Sequence, residues 1–113
     1  MHRTIEAMDD LSHEEVLQMF KTLSSSLSFA RQQHLVKLLE GMDASKYAAE
    51  VLICVPSEDL GPEIQDRLVG IIERTRSIGD SQRVLFLAGR KYDTRIRYRL
   101  RKVRNIRGRL LKH

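Results

Sequence analysis

The sequence predicts an all-α protein: a compact bundle or stacked helical hairpins of five to six short helices, with a long basic C-terminal helix. Three observations lead there. Apolar residues recur at three- and four-residue intervals in one segment after another. Gly, Pro and capping residues punctuate those segments at short spacing. Aromatic residues are only 5% of the 113 residues and Trp is absent, so aliphatic side chains must fill the core, a composition that helices accept more readily than a β-sandwich does. This length makes one domain, and a 42% hydrophobic fraction supplies it with a core.

The elements follow in order. Ser12-His13-Glu14-Glu15 has the form of a capping box. It opens a helix over about 12–26, whose stripe is Val16, Met19, Phe20, Leu23 and Leu27. Ser28 caps a second helix, about 29–40, with Leu35, Leu38, Leu39 and Met42 facing inward and Gly41 at the left-handed terminal position. Asp43 or Ser45 caps a third helix carrying Tyr47, Ala48, Val51, Leu52 and Val55, which Pro56 stops. Pro62 suits the first turn of a fourth, striped by Ile64, Leu68, Ile71, Ile72 and Thr75. Ser77 to Asp80 reads as its close and a turn. Val84–Ala88 is apolar throughout and fits a strand or a short core helix. No partner strand is visible, and a lone strand leaves its backbone unsatisfied, so the run is assigned to helix. The last helix spans about 94–111, capped by Asp93 or Thr94.

Charge divides the chain. Residues 90–113 hold eleven of the 20 Lys and Arg but one of the 15 acids, a net of +10, and the other 89 residues carry −5. The organisation expected is a flexible N-terminus (1–10), an acidic helical body (11–89) and a basic C-terminal helix (90–113). No apolar run is long enough to span a bilayer. The N-terminus lacks the apolar core of a signal peptide. The single Cys54 cannot form an internal disulfide, so the setting expected is intracellular and reducing, cytoplasm or nucleus.

At 100° per residue, Ile96, Leu100, Val103, Ile106, Leu110 and Leu111 share one stripe of the last helix. Cations cover most of the rest. Like-charged pairs four residues apart, such as Arg95/Arg99 and Arg97/Arg101, disfavour a helix, and an anionic ligand relieves that penalty. The cations are mostly Arg, whose planar fork matches phosphate. The residues expected to contact nucleic acid are Arg90, Lys91, Arg95, Arg97, Arg99, Arg101, Lys102, Arg104, Arg107, Arg109 and Lys112. Tyr92 and Tyr98 interleave with them as candidates for stacking on bases. A surface of this kind reads backbone more than base edges, which favours RNA over DNA.

The stretch Thr94-Arg95-Ile96-Arg97-Tyr98-Arg99-Leu100, followed by Val103, resembles the opening of the last helix in the HEAT-like middle domain of the large scaffold proteins of eukaryotic cap-dependent translation initiation. The resemblance rests on residues 94–103, ten of the chain's 113. Downstream, Arg101–Arg109 is more basic than that family's segment. The resemblance implies stacked helical hairpins and an RNA or translation-factor partner.

Catalytic chemistry has no foothold here. His2, His13, His34 and His113 are not spaced with Cys or carboxylates as metal ligands. Cys54 sits in an apolar run and reads as core. Gly61, Gly70, Gly79 and Gly89 read as breaks or close-packing points, not a phosphate loop. No cofactor or metal is expected. The expected function is non-enzymatic binding of nucleic acid, RNA first, through the Arg-rich helix. Two alternatives stand beside it. One is a helical protein–protein interaction or adaptor module, death-fold-like or self-associating, that uses the acidic body against the basic helix. The other is a small subunit of a ribonucleoprotein complex.

Overall fold

The capping box forms as its spacing dictates. The Ser12 Oγ accepts from the Glu15 backbone N–H, and Glu15 Oε1 accepts from the Ser12 N–H, satisfying two donors that a helix start leaves open. In the computed structural model the described residues are 11–23 and 25–111, with side chains described through Val103. The expected flexible N-terminus, 1–10, lies outside them. Among the described residues there are six α-helices and no strands: α1 (His13–Leu23), α2 (Phe29–Gly41), α3 (Ser45–Cys54), α4 (Pro62–Thr75), α5 (Ile78–Ala88) and α6 (Thr94–Leu111). Short 3₁₀ turns at Ser57–Asp59 and Gly89–Lys91 lie between them.

Of the two helical arrangements the sequence leaves open, the packing follows stacked hairpins. α1 pairs with α2, α3 with α4, and α5 with α6. Along the stack, α3 packs on α1 and on α5, while α4 packs on α2 and on α6. The result is two layers, α1-α3-α5 and α2-α4-α6. Neither α1 nor α2 packs substantially on α5 or α6. The core runs the length of the stack as Phe20, Leu35, Leu39, Leu52, Ile64, Leu68, Ile71, Ile72, Ile96 and Leu100, all fully buried. No helix of the described residues is long and apolar enough to cross a membrane.

Local chemistry sets several ends. Ser28 Oγ accepts from the Arg31 N–H and Asp93 Oδ1 from the Ile96 N–H, starting α2 and α6. Buried Gln32 ties α2 to the turn before α4: its Nε2 donates to the Asp59 carbonyl at 2.6 Å, and its Oε1 accepts from the Gly61 N–H.

Other expectations are corrected. α1 ends at Leu23, which is exposed. Gly41 stays helical and Met42 is exposed; Asp43, at φ 47°, takes the left-handed position, which a short polar side chain tolerates. α3 is preceded by Ala44, and neither Asp43 nor Ser45 caps it. Gly79 lies inside α5, because Arg76, at φ 52°, already turns the chain at the end of α4. Gly70 is mid-helix with open space where a side chain would stand. Cys54 is exposed, since α3 turns it away from the buried Val51–Leu52–Val55 face. The Val84–Ala88 run is helical, but only Val84 and Ala88 are buried.

Candidate nucleic-acid interface

The third hairpin places the basic segment at one end of the stack. Ile96, Leu100 and Val103 are buried and seat α6 against the body. Buried Ser81 of α5 donates its hydroxyl to the Leu100 carbonyl at 2.5 Å and fixes the two helices in register. With that stripe held inward, the cations of α6 fall on two flanks.

One flank faces α4 and is neutralised. Arg99 donates through Nε and Nη2 to Glu73 at 3.1 and 2.6 Å and through Nη1 to Asp66 at 3.0 Å. Arg95 also pairs with Asp66. The bonds to Glu73 hold the Arg99 guanidinium above its ordinary range. Arg95 and Arg99 thus dock the helix on the acidic body.

The turn before α6 is structural as well. Lys91 donates to the carbonyls of Ile53 and Val55, at 2.7 and 3.1 Å, closing the end of α3. Tyr92 is only 4% exposed, and its hydroxyl donates to the Leu52 carbonyl at 2.5 Å. Burial pushes its pKa well above the ordinary 10.0. The expectation that Tyr92 stacks on bases is therefore corrected: its ring belongs to the core.

The other flank and the outer face are open. Arg101 and Lys102 are exposed, as is Arg90, and none has a hydrogen-bond or ion-pair partner among the described residues. Arg97 is half-buried; its Nη2 donates to the Thr94 hydroxyl at 3.3 Å, and its Nε is buried without a partner. Its stem crosses the backbone at Gly89, where a Cβ would meet Arg97 Cδ at 4.0 Å. Tyr98 is 59% exposed between the open cations. Arg104, Arg107, Arg109 and Lys112 lie outside the residues whose side chains are described.

The structure also exposes two residues that the sequence reading assigned to the core, Phe86 at 89% and Leu87 at 56%. The signal was present: with Val84 and Ala88 inward at four-residue spacing, position 86 falls on the opposite side of α5 and position 87 on its flank. Among the described residues no group of His, Cys, Asp and Glu side chains converges as a metal site. No protein-family model, no curated protein and no solved structure matches this chain.

Proposed function

We propose that this chain is a non-enzymatic RNA-binding module that grips the phosphate backbone with the outward face of α6. The observation that carries the reading is the division of labour on that helix. Arg95 and Arg99 are held by carboxylates of the body, whereas Arg101 and Lys102, flanking exposed Tyr98, have no partner among the described residues. Two cations beside an exposed phenol ring offer phosphate contacts and a stacking surface together. The resemblance of residues 94–103 adds RNA or a translation factor as the partner class.

The test is fluorescence anisotropy of a labelled RNA at several salt concentrations, using protein freed of co-purified nucleic acid by high salt. Binding that weakens as salt rises is expected. Arg101→Ala with Lys102→Ala lowers affinity about tenfold and flattens the salt slope by about two units. Tyr98→Ala weakens single-stranded RNA more than duplex. Unchanged affinity in the double variant overturns the reading.

A further inference from the structure

The chain has three phenylalanines. Phe20 is fully buried, but Phe29 is 50% and Phe86 89% exposed. Scattered exposed apolar residues are ordinary; here the surroundings of the two rings differ in charge.

Phe86 lies in the last turn of α5, on the outer end of the stack. Arg90 follows it by four residues, and the Arg97 stem crosses Gly89 just after it. Arg90 has no partner among the described residues, and Arg97 bonds only within its own helix. This ring therefore has a cationic rim.

Phe29 opens α2, and its ring lies 3.4 Å from where a Cβ on Gly61 would be. The turn and helix start beside it bring Glu58 and Glu63, both exposed. Glu58 has no partner among the described residues; Glu63 accepts only from Gln33, at 3.0 Å. Arg31 sits two positions along α2, on the opposite side of that helix from the ring. This ring therefore has an acidic rim.

The two faces have matching apolar centres and opposite rims. They belong to different hairpins, and α2 does not pack substantially on α5 or α6, so one molecule cannot close them on itself. We infer that the Phe86 face of one copy docks on the Phe29 face of a second copy, a head-to-tail contact. Pairing like faces would set arginines against arginines, whereas the head-to-tail arrangement sets Arg90 and Arg97 toward Glu58 and Glu63. Such a heterologous contact builds rings or open chains as concentration rises. Its charged rims make it sensitive to salt.

Sedimentation velocity on the nuclease-treated full chain tests this. At low salt the average sedimentation coefficient rises with concentration, and at high salt the protein is monomeric. Phe86→Ser and Phe29→Ser each give monomers alone. Mixed in equal amounts they give a 1:1 dimer and nothing larger, because one acceptor and one donor face remain between them. Glu58→Lys with Glu63→Lys replaces Phe29→Ser in the same mixing experiment, in case the loss of the Phe29 ring disturbs α2. A wild-type chain that stays monomeric at low salt, or mixed variants that do, overturns the proposal. So does association that disappears when nuclease removes nucleic acid.

Discussion

The guanidinium of Arg99 on α6 spans two turns of α4, meeting Glu73 through a pair of hydrogen bonds and Asp66 through a third. The side chain is half-buried, and paired, charge-assisted bonds of this kind are among the stronger ones. Arg99→Met is expected to destabilise the fold by about 1–2 kcal/mol, after allowance for partial solvent screening. Arg101→Met, on the open flank, should leave stability unchanged. Urea denaturation of the two variants checks the contrast, and equal losses would contradict the docking role.

Tyr92 gives the fold a high-pH liability. Its pKa is raised in the folded state by burial, so the unfolded chain releases this proton first. Above its unfolded value near 10.0 the unfolded state binds fewer protons, and stability falls by up to about 1.4 kcal/mol per pH unit. Tyr92→Phe loses the bond to the Leu52 carbonyl, about 1 kcal/mol at neutral pH. It also removes the steep decline, so the two stability curves converge above pH 10. Tyr47, raised by its hydrogen bond to Glu14, adds a weaker slope of the same sign, which Tyr47→Phe isolates.

On the acid side the relevant pair is Glu40 and Arg67, bonded at 2.6 and 3.0 Å between α2 and α4. The Arg67 hydrogen bond holds the Glu40 carboxyl below its ordinary 4.5. This contribution is fully present above about 4.5 and disappears as pH falls through the lower folded value. Arg67→Met should therefore lower stability at pH 7 and shrink the difference from wild type at pH 2–3. Thermal melts across that range measure it.

Arg76 turns the chain at the end of α4 in a left-handed conformation, φ 52° and ψ 42°. A side chain with a Cβ is strained there by about 1 kcal/mol, and glycine is not. Arg76 is exposed, so Arg76→Gly removes the strain with little loss of contact. A rise in stability of about 0.5–1 kcal/mol is expected, less the added freedom of the unfolded chain. Denaturant midpoints at equal slope decide it.

Three helix starts were legible because each rests on one nearby side chain: Ser12 with Glu15, Ser28, and Asp93 all cap as their positions imply, whereas α3 and α5 begin without a side-chain cap bond. Helix ends were less so. The residues taking left-handed backbone are Asp43 and Arg76, not the neighbouring Gly41 and Gly79, since tertiary packing sets where α3 and α5 must begin. Periodicity placed Ile96 and Leu100 in the core but gave no hint that Arg95 and Arg99 meet Asp66 and Glu73, residues 26 to 33 positions away. Tyr92 was misjudged for the same reason: its partner carbonyl, at Leu52, lies 40 residues earlier. Cation spacing alone does not separate arginines that hold the helix down from those that face solvent.

A chain whose hairpins touch only their immediate neighbours has two ends and a middle, and its parts need not open together. Among the described residues the α3–α4 pair is flanked on both sides, whereas the other two pairs each pack substantially on one neighbour. Amide protons of α3 and α4 should exchange most slowly, and those at the extremities should open through smaller, separate fluctuations. Such an array lengthens or shortens by whole hairpins without redesign of what remains, so an evolutionary change in size leaves the surviving joints intact.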